Sequence, residues 1–216
     1  MPLINNIIVF TEDENLTIED KIQSDSFSHC DWGGEDLQPI RSRIRRFYRN
    51  EQYGVCAYCK ENVSLRSANN AHVEHIAPKS LYARFMFEPK NLCVICADCN
   101  EIKRNQEVIN GVTDTFASNV IRYPRSSRAF KIVHPLFDDY DEHILKKGRV
   151  YIDKSAKGAF TIGVCKLNRF FHEFDVDEEF VNDEEIVHQM NEYIDSNSAV
   201  QKAGILNRLR DILFNF

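Results

Sequence analysis

No stretch of this chain approaches the ~20 consecutive apolar residues that a membrane-crossing helix needs. The first ten residues are too short a run and lack a basic start, so they do not read as a signal peptide. Internal repeats and low-complexity linkers are missing as well. By default this reads as an intracellular, cytoplasmic protein with no membrane attachment. A reducing compartment turns paired cysteines toward metal binding and away from disulfides. An excess of positive charge is also lacking, with 27 basic residues against 33 acidic ones. The net charge of −6 argues against a bulk nucleic-acid binder. What is there is ordinary globular material, 43% hydrophobic and 28% charged over 216 residues. That length holds one large domain, or a small core domain with extensions.

The charge is informative once it is split. Residues 1–40 carry a net −8, residues 41–104 a net +6 and residues 105–216 a net −4. The positive segment opens with a helical pattern. Ile40, Ile44, Phe47 and Tyr48 recur at three- and four-residue spacing, while Arg41, Arg45 and Arg49 line another face. Such a face is either solvated or a contact for a phosphate backbone.

The same segment carries the chemistry. It reads Cys56-x-x-Cys59, then His72-Val73-Glu74-His75-Ile76-Ala77-Pro78-Lys79, then Asn91-Leu92-Cys93, then Cys96-x-x-Cys99-Asn100-x-x-Lys103-Arg104. Two Cys-x-x-Cys knuckles suit a tetrahedral structural zinc. Cys56, Cys59, Cys96 and Cys99 are the preferred set. Cys93-x-x-Cys96 is a legal pair too, but Cys93 falls inside an apolar run, where cysteine behaves as a small hydrophobe. Buried free thiols are the plain expectation for Cys30 and Cys165. Between the knuckles, His75 suits a general base, because an imidazole accepts a proton near neutral pH. Glu74 and Asn100 offer the oxygen atoms that a hard divalent cation prefers. Asn91 is placed to orient the imidazole. Asn100, Lys103 and Arg104 fall at i, i+3 and i+4, which predicts a shared helix face for a metal ligand and phosphate-binding cations. His72 reads as a surface histidine.

Local patterns predict an N-terminal arm with a short helix near Ile18–Ile22 and a strand or ordered tail over residues 3–10. A strand at Ala71–Ile76 should end at Pro78, and Leu81–Phe87 should form a turn of helix. A second strand is predicted at Leu92–Ile95, and a helix from Ala97 to Val108. Further on, Arg149–Ile152 and Ala159–Val164 read as a hairpin turning near Lys157-Gly158. Glu178–Phe216 reads as two helices separated near Ser196–Ser198. Leu206, Leu209, Ile212 and Leu213 form an apolar stripe there, as a core helix or a docking surface with Phe214 and Phe216. The fold class expected is α+β, divided at 1–50, 51–110 and 111–216.

The knuckles, the Glu74-His75-Ile76-Ala77-Pro78-Lys79 run, Asn91-Leu92 and Cys99-Asn100-x-x-Lys103 together resemble the HNH endonucleases, the ββα-metal nucleases. The resemblance covers roughly residues 53–106. It implies a zinc-stapled (Zn2+) ββα-metal core with an N-terminal helical arm and a C-terminal α/β extension. It further implies a catalytic Mg2+ or Mn2+ ion held by Glu74 and Asn100, His75 as the base and Asn91 as its orienting residue. Lys79, Lys103, Arg104 and the Arg41, Arg45, Arg49 face would meet DNA. Glu74 and Asn100 depart from the Asp or His that many members carry, which leaves metal preference open. The Trp32 segment, the basic helix, Tyr140–Ile144 and Thr161–Arg169 resemble the PtuB-like HNH nucleases. These act beside an ABC-type ATPase (PtuA-like) in Septu and some retron antiphage systems. An RNase, such as one cleaving transfer RNA, and a non-cleaving zinc-stapled binding module are the competing readings.

Overall fold

The computed structural model describes residues 2–111, 122–174 and 184–214. The arm enters as extended chain, an ordered tail more than a strand. Ile4 and Ile8 are buried, and the Ile4 amide donates to the Pro135 carbonyl at 3.0 Å. Helix α1 spans Glu12–Ile22, starting six residues earlier than the apolar pattern suggests. A capping box explains the early start, because Thr11 and Glu14 satisfy each other's backbone amides. Helix α2, Gln38–Glu51, buries Ile40, Ile44 and Tyr48, as their spacing predicts.

The centre is strand β1, His72–His75, paired antiparallel with β2, Leu92–Ile95. Glu74 lies opposite Cys93, and His75 opposite Leu92. Helix α3, Ala97–Lys103, follows at once, with the Cys96 thiol at its N-cap. It stops five residues short of the expected Val108. The chain turns into the left-handed region at Arg104, φ 46°, which an α-helix cannot continue through. A two-stranded sheet is marginal alone. Here Gln52, at the end of α2, acts as a third strand. Its carboxamide accepts from the Val94 amide and donates to the Val94 carbonyl, both at 2.7 Å.

The second sheet corrects an expectation. The short helix α4, Tyr140–His143, leads into β3, Ile144–Lys147, which pairs with β4, Val150–Asp153, through a tight turn at Gly148, φ 57°. The segment expected as the second hairpin strand is instead helix α5, Ala156–Val164. Ser155 caps it by accepting from the Gly158 amide, and Gly158 is a packing point, not a turn. A Cβ there would sit 1.9 Å from the His143 carbonyl oxygen. Helices α6, Arg169–Phe174, α7, Glu184–Asp195, and α8, Ala199–Phe214, complete the described chain.

One apolar core runs from Ile4 to Leu167, so arm, centre and extension share it. A smaller core joins Val150 and Phe171 to Ile186, Met190, Ile205 and Leu209. On α8 the buried face is Ile205 and Leu209, with Ile212 packed beside them. Leu206, expected in that stripe, is 49% exposed. The side chains of Leu213, Phe214 and Phe216 lie outside the described residues.

Candidate active site

The two knuckles meet. Cys56 and Cys59 follow α2, Cys96 ends β2 and Cys99 sits in the first turn of α3. All four are buried, with their sulfurs within 4.8 Å of one another. The Cys59 and Cys96 sulfurs are 3.7 Å apart. A zinc tetrahedron with ~2.3 Å arms has edges of about 3.8 Å, whereas a disulfide would need ~2.05 Å. The donor set therefore fits zinc and not a cross-link. Packed this closely, the four thiols shift one another's pKa. Hydrogen bonds with Cys56 push Cys96 and Cys59 down, while burial pushes Cys56 up and the bond to Cys56 pushes Cys99 up. Cys93 lies outside the cluster, buried beneath the strand. Cys165 is buried as expected, but Cys30 is exposed. Two tyrosines of the extension clamp the first knuckle. Tyr140 donates to the Tyr58 carbonyl at 2.9 Å and Tyr151 to the Cys59 carbonyl at 2.5 Å.

His75 sits at the end of β1 and is 5% exposed. Its Nε2 lies 3.1 Å from the Met86 carbonyl. A carbonyl can only accept, so Nε2 carries the hydrogen and Nδ1 carries the lone pair. Burial, with the like charges of Lys79 and Lys103 beside it, pushes the imidazole pKa down to about 3. The Trp32 ring meets the imidazole edge-on, centroids 4.5 Å apart. Asn91 was expected to orient the imidazole and instead holds the loop after it. Its carboxamide accepts from the Ala77 amide at 2.7 Å and donates to the Ala77 and Phe85 carbonyls at 3.1 and 3.0 Å. Asn91 thus acts on His75 only through the loop that carries Met86.

Glu74 points the other way, as successive residues of a strand do. Its Oε1 lies 2.5 Å from Lys103 Nζ and 3.4 Å from the Tyr58 hydroxyl. Lys103 is fully buried, and the close contact is an ion pair without the alignment of a hydrogen bond. This corrects the shared helix face. Asn100 is half-buried, Lys103 is interior, and Arg104 is exposed and ion-paired with Glu101. Lys103 is therefore placed to neutralise Glu74, not to meet a phosphate.

Residues 56–106 match the family model of the HNH endonucleases. This segment is an HNH domain. The match covers about a quarter of the chain and leaves out Trp32, the α2 arginines and everything after Gln106. No curated protein and no solved structure matches the chain.

The cations around the HNH domain fall into two groups. On α2, Arg41 donates to the Trp32 and Gly34 carbonyls, and Arg49 donates to the Ser64 carbonyl. Arg45 is held between them with its Nε buried and unpartnered. Burial and the two neighbouring guanidinium charges lower its pKa. Among the described residues, no carboxylate pairs with any of the three. Lys79 is half-buried and close enough to repel a proton from His75. The second group was not singled out in the sequence. Arg84, Arg122 and Arg125 converge on a cleft of about 570 Å³ over Phe85 and Tyr123, with Glu88 the one carboxylate among the described lining residues. Three arginines spread over forty residues show no spacing pattern, so only the fold reveals them. His72 is half-exposed and bonds the Asn69 carbonyl, a surface histidine as expected.

Proposed function

We propose that the chain is a metal-dependent HNH endonuclease that hydrolyses DNA phosphodiester bonds. The observation that carries this reading is the fixed tautomer of His75 inside an HNH domain. The Met86 carbonyl holds Nε2–H and leaves Nδ1 as the basic atom. A neutral imidazole with one anchored nitrogen is the form that takes a proton from water. Asn91 keeps the Met86 loop in place. Glu74 and Asn100 would supply the oxygen ligands that a hard divalent ion prefers, with the ion displacing Lys103 from Glu74. Mg2+ or Mn2+ held there would stabilise charge on the phosphate and the departing oxygen. The arginine faces on α2 and around the 570 Å³ cleft supply sequence-independent backbone contacts. The four cysteines would hold one structural Zn2+.

The finer reading is a cytoplasmic antiphage effector that works with an ABC-type ATPase. It is supported by the resemblance of the Trp32, Tyr140–Ile144 and Thr161–Arg169 segments to PtuB-like nucleases. The acidic flanks support it too, because they would make a free chain a poor DNA binder. Co-purification from the native operon tests the partner, and full activity of the isolated chain at physiological salt would refute it. The burial of His75 and the Glu74–Lys103 pair favour one second reading, a binding module that does not cut. Plasmid nicking with Mg2+ or Mn2+ separates the two, with labelled RNA run in parallel. The nuclease reading requires that His75→Ala lose about 10²–10⁴ in rate. Equal rates for wild type and variant would end it.

A further inference from the structure

The acidic arm meets the candidate base through one turn. The turn His29–Gly33, closed by a capping box between Ser28 and Asp31, lays Trp32 against His75 and Phe87. Arg41 ties that turn to α2. Arg41 Nη1 donates to the Trp32 carbonyl at 2.5 Å and to the Gly34 carbonyl at 2.6 Å. Arg41 is also the first member of the carboxylate-free row Arg41, Arg45, Arg49. The next member, Arg45, has a buried Nε with no acceptor. A row of like charges without counter-ions is what a phosphate backbone neutralises. Phosphate oxygens, being charged acceptors, make stronger bonds to guanidinium than backbone carbonyls do. The two carbonyls of the arm therefore occupy donors that a phosphate would take in preference.

We propose that the Trp32 turn of the N-terminal arm is a substrate-released cover on the nuclease site. A phosphate backbone engaging Arg41 and Arg45 withdraws Arg41 from the Trp32 and Gly34 carbonyls and lifts Trp32 from His75. The inference rests on the nuclease reading for its purpose but not for its test. It ties access to the base to occupancy of the adjacent arginine row. Free metal and water then meet a covered imidazole, and only a chain carrying several phosphates uncovers it.

Trp32 is the only tryptophan in the chain, so its fluorescence reads the cover directly. The full-length protein, with divalent cations other than zinc removed, is titrated with inorganic polyphosphate, a backbone without bases to stack on the ring. The expected result is a red shift of Trp32 emission and greater acrylamide quenching as polyphosphate binds. Arg41→Gln should show both without polyphosphate. The proposal is overturned if polyphosphate does not bind, if it binds with emission and quenching unchanged, or if Arg41→Gln protects Trp32 as well as wild type. Activity is a separate arm. Trp32→Ala should cut faster than wild type at limiting DNA, and slower cutting by a folded variant would make Trp32 a positioning residue instead of a cover. If the fluorescence changes appear and no substrate is cut, the nuclease reading fails and the cover stands.

Discussion

The molecule builds the same small object twice and uses it differently. Each sheet has two antiparallel strands of four residues. Each is extended on one edge by a carboxamide that bonds both backbone groups of one strand residue. Gln52 does this to Val94 in β2. Asn168 does it to Tyr151 in β4, donating to the carbonyl and accepting from the amide at 2.8 Å each. The connections differ. β3 and β4 are joined by a tight glycine turn, whereas residues 76–91 join β1 to β2 and carry Met86, Arg84 and Asn91. The burial differs too. All four residues of β2 are buried, while β4 surfaces along its second half. A strand pair that only closes a surface needs a short turn. The pair that carries His75 is spanned by the loop that anchors it at Met86, and a long loop needs something stronger than two strands to hold its ends.

The cysteine cluster is that stronger element, and removing it should give the largest effect. Structural zinc supplies ~10 kcal/mol or more of apparent folding free energy. Cys99→Ser should therefore yield unfolded or insoluble protein. Elemental analysis should find about one zinc per chain in the wild type. An unchanged melting curve for the variant would show that the first sheet needs no metal. His75→Ala should separate chemistry from fold. Its zinc content and melting should stay near wild type while cutting falls by about 10²–10⁴. The carboxamides test the comparison most directly. Gln52→Met keeps volume but strands the buried Val94 amide, while the Val94 carbonyl keeps the Ala57 amide, at about 2–3 kcal/mol in chemical denaturation. Asn168→Leu should cost about 1–2 kcal/mol, because its surroundings are wetter. Equal losses would mean that the two sheets are held alike. The smallest effect concerns binding. Replacing Arg41, Arg45 and Arg49 with alanine should flatten the salt dependence of DNA affinity by roughly one slope unit per lost contact. An unchanged slope would make the row a solvated face.

The two sheets also differ in how far the sequence revealed them. β2 and the start of α3 were readable because cysteines at fixed spacing punctuate them. Asn91 and His75 were recognisable as a pair, but the direct contact between them was not there to read. The second sheet was misread because Ala159–Val164 is apolar and β-branched, and Lys157-Gly158 looks like a turn. The deciding facts were the Ser155 cap and the 1.9 Å approach of His143 at Gly158, of which only the first is local. Spacing alone puts Lys103 on one helix face with Asn100 and Arg104, and a buried lysine needs a partner that spacing does not show. The partner, Glu74, lies twenty-nine residues earlier on another element, and only the fold brings them together.

The tyrosines that reach back to the first knuckle set a limit on portability. Carbonyls at Tyr58 and Cys59 are satisfied by hydroxyls from Tyr140 and Tyr151, more than eighty residues downstream. Arg169 adds an ion pair to Asp98 on α3. A piece trimmed to residues 56–106 would keep every ligand and every motif residue but lose these bonds, the Gln52 edge and much of its core. Buried carbonyls left without donors and apolar faces turned to water both oppose folding. The HNH domain here is recognisable as a cassette in sequence but is welded into its host in space. Transplanting its chemistry to another scaffold would mean carrying α2 and the Tyr140–Tyr151 hairpin along with it.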